Sequence, residues 1–151
     1  MRWDNDEFWM TDEIQWLDVA AITRWLQSTY WAAQRTRETI ELSLRHSLNF
    51  GMFQGQEPMG FARVISDYAT HGYLCDVFIA PEYRRRGLGK WMLQTIFEHP
   101  RLQGVRMDLF TKDAQDFYRQ LGFGKHRFDC LVRYPAHYAG GSSFVQTSQA
   151  P

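Results

Sequence analysis

The chain has 151 residues with 17 basic and 17 acidic side chains, which predicts one domain with a real core and leaves too little for two. The balanced charge argues against nucleic acid as the main partner, because such proteins carry a basic footprint. The charged N-terminus and the absence of a long apolar run argue against a signal peptide and a membrane partner. We therefore expect a cytoplasmic protein.

Secondary structure is predicted first in the N-terminal third. Residues up to about 12 have no clear period, and residues 13–17 alternate briefly as an edge strand would. Asp18 is a suitable N-cap for a helix over 19–29, where apolar residues recur at helical spacing. A second helix is expected over 35–47.

The pattern then changes to strands. Strands are predicted over 48–53, 59–65, 73–80 and 104–110, a helix over 91–98, a short helix over 114–121 capped by Asp113, and a strand pair over 123–127 and 130–134. The order β-α-α-β-β-β-α-β-α-β-β predicts a single α/β domain of the mixed α+β type over residues 1–138. Residues 139–151 are expected to form a flexible tail. Cys75 and Cys130 lie in two of these strands, and we expect buried, reduced thiols.

The turn between the central strand and its helix carries the clearest chemical signal. It reads Pro-Glu-Tyr-Arg-Arg-Arg-Gly-Leu-Gly-Lys over residues 81–90. Free N–H groups at a helix start, with glycines that allow close approach, form a phosphate site, although such a sequence also occurs in plain tight turns. A nucleotide-binding P-loop is excluded, because Lys90 is followed by Trp91 and the required glycine spacing is absent.

Two motifs together resemble the GCN5-related N-acetyltransferase (GNAT) family. The first is the strand followed by Arg-Arg-Arg-Gly-Leu-Gly at 84–89, and the second is a short helix with a tyrosine and a Gly-Phe turn at 114–123. The resemblance covers most of the chain and implies a GNAT-type acyl-CoA N-acyltransferase fold. It also implies an N-acetyltransferase that uses acetyl-CoA as co-substrate, needs no metal, and transfers the acetyl group directly to an amine.

The resemblance also implies where acetyl-CoA is bound. Backbone amides of the turn would hold the pyrophosphate, the central strand would run beside the pantetheine arm, and a backbone N–H of that strand would polarise the thioester carbonyl. Many relatives place an asparagine seven residues before the tyrosine, and here that position is Thr111, whose hydroxyl can still form a hydrogen bond. The expected cofactor-binding residues are Phe78, Ile79, Ala80, Arg85, Arg86, Gly87, Leu88, Gly89, Lys90 and Thr111.

Tyr118 is the expected general acid that protonates the CoA thiolate, because a phenol stays protonated near neutral pH and can hydrogen-bond sulfur. The alternative is that Tyr118 only packs beside Phe117 and Leu121. Asp76 is a candidate general base, because a carboxylate in an otherwise apolar strand is expected to have either a chemical role or a charged partner. It could equally be a structural carboxylate satisfied by an arginine such as Arg63 or Arg106.

The acceptor side is the least defined by sequence. The family builds this pocket partly from the connection of the first two helices, which here contains Tyr30 and Trp31. The leading expectation is a primary amine of a small molecule. Acetylation of a protein lysine or N-terminus, and a non-catalytic acyl-CoA sensor, are the alternatives. Whether the protein is a monomer or a homodimer is left open.

Overall fold

The computed structural model describes residues 1–133, so the proposed tail and Tyr134 lie outside the described residues. In chain order the strands and helices are β1 (Arg2–Asn5), β2 (Phe8–Thr11), α1 (Val19–Gln27), α2 (Arg37–Arg45), β3 (Leu48–Gln54), β4 (Glu57–Ser66), β5 (His71–Ile79), α3 (Leu88–Phe97), β6 (Arg106–Asp108) and α4 (Gln115–Arg119). The mixed α/β class predicted from the sequence is confirmed.

Within the described residues, the strands form one six-stranded sheet in the order β1 to β6. Neighbouring strands are antiparallel except β5 and β6, which are parallel. Helices α1 and α2 cover one face of the sheet through a cluster that includes Ile22, Leu26, Ile40 and Phe61. Helix α3 covers the other face with Leu88, Met92, Leu93 and Ile96.

The two N-terminal helices begin at side-chain caps. The Asp18 carboxylate accepts a hydrogen bond from the Ala21 N–H at 2.9 Å, as the sequence predicted. At α2, the Thr36 hydroxyl accepts from the Thr39 N–H at 3.3 Å. Each cap satisfies an N–H that would otherwise have no partner in the first turn, and so fixes where the helix starts.

The first predicted strand is wrong. Residues 13–17 contain a short 3-10 turn at Ile14–Trp16, and the edge of the sheet is instead the hairpin of β1 and β2. All four residues of β2 are buried, because β2 lies between β1 and β3 and is covered on both faces. A strand buried on both faces does not alternate, which explains why its period was not visible.

The predicted strand pair at the C-terminal end is also absent from the described residues. Residues 123–133 contain no strand, and Phe128 and Leu131 are exposed. The neighbouring strand β6 has only three residues. An apolar run becomes a strand only where a partner edge and a face to pack against are available.

Strand β5 has two features that shape the site. Its register with β4 shifts between the pairs Phe61↔Phe78 and Arg63↔Cys75, so β5 has one extra residue there, and Asp76 in this bulge has a φ of 55°. Its pairing with β6 ends at Tyr73↔Asp108, although β5 continues to Ile79. The second half of β5 therefore has an edge that β6 does not cover, and a cleft opens there.

Candidate active site

The turn after β5 is built to accept an anion. Arg85 and Gly87 have φ values of 62° and 78°, and α3 begins at Leu88. The first N–H of α3 to bond within the helix is that of Trp91, to the Gly87 carbonyl at 3.1 Å. The N–H groups of Leu88, Gly89 and Lys90 precede it at the positive end of the helix dipole.

A cavity of about 280 Å³ lies over this turn. It is lined by Ile79, Tyr83, Arg84, Arg85, Gly87, Leu88, Gly89, Lys90 and Phe117. A Cβ on Gly89 would lie 3.6 Å from the Phe117 ring, an ordinary van der Waals distance, so Phe117 packs closely beside this glycine. The residues present therefore fit a pyrophosphate held by main-chain N–H groups.

The three arginines of the turn differ in what they contact. The Arg84 Nε donates to the Ile79 carbonyl at 2.8 Å, and its guanidinium lies 5.6 Å from the Phe78 ring centroid. Arg86 pairs with Glu7 at 2.8 Å. The Arg85 side chain has no ion-pair or hydrogen-bond partner among the described residues. Arg84 and Arg86 are therefore held by the protein, and Arg85 remains available to a ligand.

The exposed edge of β5 presents the backbone of Ile79 to the cleft. The Ala80 N–H faces β4, where it donates to the Met59 carbonyl at 2.8 Å. Because backbone groups alternate along a strand, the N–H of Ile79 faces the opposite edge. The Phe78 side chain is buried and stacks on Trp25 with centroids 5.3 Å apart. Of the expected cofactor strand, Ile79 thus offers a free N–H, because its carbonyl already accepts from Arg84, while Phe78 and Ala80 hold the strand in place.

Tyr118 lies in α4, one residue after Phe117, which lines the cavity over the turn. Its half-buried ring contacts Phe117 and Phe123, and it also lines a cavity of about 1140 Å³ beside β6. Burial, together with the nearby Tyr30 and Asp113, raises the pKa of Tyr118 to about 12. The phenol therefore both packs and faces open space, and it is protonated at neutral pH.

The predicted cap Asp113 makes no capping bond: α4 begins after Ala114, and no side chain caps it. The Thr111 hydroxyl accepts from the Ala114 N–H at 3.0 Å, one residue before the helix. The Thr111 hydroxyl proton remains free to donate, because this bond uses only the oxygen. Thr111 lines the larger cavity together with Tyr118.

Asp76 is held by two arginines. Its side chain is 1% exposed. It accepts from Arg35 NH1 at 2.8 and 2.9 Å and from Arg63 Nε at 2.9 Å. The Arg63 partner was one of the two that the sequence suggested, whereas Arg106 instead contacts His71 and Asp108. Asp76 thus has the arginine partner that the structural alternative expected, together with a second one, Arg35.

The connection of α1 and α2 forms an exposed aromatic edge opposite α4. The rings of Tyr30 and Trp31 meet edge to face at 4.9 Å, and both are exposed. The Lys112 Nζ lies 5.7 Å from the Tyr30 ring centroid. This contact brings the α1–α2 connection next to the segment that carries Thr111 and α4.

Two residues of this region were not predicted from the sequence. Arg35 binds an aspartate 41 positions away in the chain, and Lys112 lies over Tyr30. Neither contact has a sequence signal, because a charged residue at a loop or a helix end is usually solvated. Only the packing of strands and helices brings the two arginines, Arg35 and Arg63, to the one carboxylate of Asp76.

The remaining expectations concern thiols, metals and membranes. Both cysteines are free, with Cys75 half-buried and Cys130 exposed, so the prediction that Cys130 is buried is wrong. Cys130 lies in the C-terminal segment that lacks the expected strand.

Residues 1–133 contain no cluster of three or more His, Cys, Asp or Glu that could hold a metal. In the same part of the chain no helix is both long and apolar enough to cross a membrane.

Comparison with known proteins defines the class of this fold and site. Residues 10–123 match the model of the acetyltransferase (GNAT) family. A crystal structure of a Xanthomonas campestris pv. campestris protein, described as belonging to the GNAT family, superposes with a TM-score of 0.82 at 39% identity. The match covers 85% of this chain and 93% of that one. The chain belongs to the GNAT family and is an N-acetyltransferase; enzymes of this family use acetyl-CoA as co-substrate.

Two further relatives match most of this chain. A Gibberella zeae protein that carries the name of an acetyltransferase, FG08082, is 30% identical, with 83% of this chain and 84% of that protein covered. The peptidyl-lysine N-acetyltransferase YiaC of Escherichia coli is also 30% identical, with 80% of this chain and 86% of that protein covered. Of these two names, that of YiaC states an acceptor, peptidyl lysine, and that of the Gibberella zeae protein states none.

Proposed function

We propose that this enzyme transfers the acetyl group of acetyl-CoA directly to a primary amine of a small molecule, with Tyr118 as general acid. The observation that carries the proposal is the Tyr118 phenol, which lines a cavity together with Thr111 and follows Phe117, a residue of the cavity over the turn after β5. Its pKa, raised to about 12, keeps the phenol protonated at neutral pH, and Lys112 of the same segment lies over the exposed ring of Tyr30. Acetyl-CoA supplies the activated thioester.

Each residue of the site has a separate role in the proposed reaction. The N–H groups of Leu88, Gly89 and Lys90 bind the pyrophosphate, and the side chain of Arg85 adds charge to it. The Ile79 N–H donates to the thioester carbonyl oxygen and stabilises the charge that develops there. Thr111 donates a hydrogen bond to the cofactor from the opposite side of the cleft.

The transfer step follows from these positions. The acceptor nitrogen forms a bond to the acetyl carbon as the carbon–sulfur bond breaks, and no bond to the enzyme is made. Tyr118 gives its proton to the departing sulfur. The acylated nitrogen then loses a proton to solvent, and Tyr118 takes a proton back from solvent. We assign no step to Asp76, because its carboxylate is bound by both Arg35 and Arg63.

A second candidate is acetylation of a protein lysine. It is favoured by the 30% identity to YiaC, which is named as a peptidyl-lysine N-acetyltransferase. The charge around Asp76 does not separate the two candidates, since a small primary amine and a lysine side chain bring the same positive charge to the two arginines there.

The test is a thiol-release assay with acetyl-CoA and a panel of acceptors, with products identified by mass spectrometry. The panel contains small primary amines, amino acids, polyamines and lysine-containing peptides. We expect acetylation of small amines. Acetylation of peptides alone would support the second candidate. Acetyl-CoA binding without thiol release on any amine would contradict both and support the non-catalytic sensor.

A further inference from the structure

The cluster of Arg35, Asp76 and Arg63 carries one uncompensated positive charge. Asp76 and Arg63 are buried, with side chains 1% and 7% exposed, and the Arg35 side chain is 32% exposed. Two guanidinium groups share one carboxylate, so the net charge of the cluster is formally +1. A buried or half-buried charge of this kind calls for a partner, because solvent screens it poorly.

The two arginines differ in how many of their donors are used. Arg63 donates from Nε and NH2 to Asp76 and from NH1 to the Ser47 hydroxyl at 2.9 Å. Arg35 donates only from NH1. Its Nε and NH2 groups have no hydrogen-bond partner among residues 1–133. These two groups form the planar two-donor edge of a guanidinium, which matches a carboxylate.

Arg35 also lies on the acceptor side of the cleft. It follows Tyr30 and Trp31 on the α1–α2 connection and reaches across to β5. Asp76, which holds it, precedes Ile79 by three residues, and three residues of strand span roughly 10 Å. Tyr73, on the same strand as Asp76, has its ring 5.7 Å from Phe110 in the wall of the Tyr118 cavity.

We propose that Arg35 determines acceptor specificity by binding a carboxylate of the acceptor through its free Nε and NH2 groups, with Asp76 as the residue that positions it. The acceptor is then an amine that also bears a carboxylate, the chemical class of amino acids. This inference rests on the proposed transfer to a small molecule.

The charge of the cluster selects among acceptors. One carboxylate balances the net charge of +1, whereas a polyamine would add further positive charge at short range and low screening. A buried, fully paired ion cluster is also favourable only when its charges balance. The structure thus favours an amino acid over a cationic acceptor.

The experiment compares acetylation of amino acids with that of their primary amides, which differ only in the carboxylate. The quantity measured is the ratio of kcat/KM for acid over amide, in the wild type, Arg35→Gln, Arg35→Lys and Arg37→Gln. Both acceptors are assayed on the same preparation, so partial unfolding of a variant cancels in the ratio. The difference in amine basicity is common to all variants and cancels when their ratios are compared.

We expect Arg35→Gln to lower this ratio roughly 10- to 100-fold, the usual worth of a charge-assisted hydrogen-bonded pair. Arg35→Lys keeps the charge but loses the two-donor edge, so it should give an intermediate ratio. Arg37 is an exposed arginine of α2 paired with Glu41, and its variant should keep the wild-type ratio.

Three results would overturn the inference. A ratio that Arg35→Gln leaves unchanged removes the role of Arg35. If the wild type acetylates only amines that lack a carboxylate, the inference fails and small-molecule transfer stands. If the wild type acetylates no small amine at all, both the inference and the proposed function fail.

Discussion

Arg63 holds Asp76 from inside the protein, through Nε at 2.9 Å and NH2 at 2.8 Å on the same carboxylate oxygen. The bulge of β5 makes this contact possible, because Asp76, with its φ of 55°, is the extra residue between the paired positions Cys75 and Phe78. A feature of backbone register thus places a carboxylate where it joins the sheet to the α1–α2 connection. In our proposal, this contact between β5 and the α1–α2 connection positions the acceptor side of the cleft.

Replacing Asp76 with Asn should therefore destabilise the protein. The variant leaves two arginines without a counter-charge, and loss of one partner of a buried ion pair costs about 3 kcal/mol. Urea unfolding measures this. Asp4→Asn, in an exposed pair with Arg2, should change the free energy of unfolding by less than about 0.5 kcal/mol.

The same variant separates the two roles considered for Asp76. If Asp76 is structural, the folded fraction should show the same pH dependence of kcat/KM as the wild type, apart from a loss of acceptor affinity. If folding is unaffected while the acidic limb of the pH–rate profile disappears, Asp76 is the general base and our assignment is wrong.

Gly87 allows a direct test of the anion site. Its φ of 78° strains any residue with a Cβ, although nothing lies within 4 Å of the added atom. Gly87→Ala should cost about 1 kcal/mol of stability. It should also weaken CoA binding, measured by calorimetry, because relief of the strain moves the N–H groups of the turn.

Gly55 provides the matched control. It has a φ of 57°, also with nothing within 4 Å, but lies in the turn between β3 and β4. Gly55→Ala should lose a similar amount of stability and bind CoA as the wild type does. Equal loss of affinity in both variants would mean that the effect is one of global stability and not of the anion site.

The two cysteines should differ in reactivity. Burial raises the pKa of the Cys75 thiol to about 12, so it holds little of the reactive thiolate at neutral pH, whereas Cys130 is exposed. A chromogenic disulfide reagent should modify one thiol per native chain and two after unfolding. Native Cys130→Ser should show no rapid reaction; rapid labelling of this variant would place Cys75 in contact with solvent.

Much of the site was predictable because its parts are local in sequence. The turn at Arg84–Lys90 combines glycines with a helix start, and Tyr118 follows a short helix pattern, so both are visible without a structure. The N-cap Asp18 was predictable for the same reason. The fold class followed from the order of such elements.

Contacts between distant elements could not be predicted. The sequence suggested Arg63 or Arg106 as the partner of Asp76. Arg35, from a connection 41 residues earlier, is equally close to this carboxylate. Strand β2 showed no alternation because it is buried on both faces, and the exposed segment after Gly122 had the composition of strands without a partner edge. Register, burial and charge balance are properties of the packed chain.

The pH dependence should reflect the raised pKa of Tyr118. A general acid must be protonated, and this phenol keeps its proton until about pH 12. The value of kcat/KM should therefore rise as the acceptor amine loses its proton and should not fall again below about pH 10. A decline that begins near pH 8 would require a different acid.

Kinetics of Tyr118→Phe test the central claim most directly. The change removes only the hydroxyl and keeps the ring contacts with Phe117 and Phe123. With the best acceptor of the panel, we predict that kcat falls roughly 10²- to 10⁴-fold, while the Kd for acetyl-CoA and the thermal stability stay near those of the wild type. An unchanged kcat would contradict the account and leave Tyr118 as a packing residue.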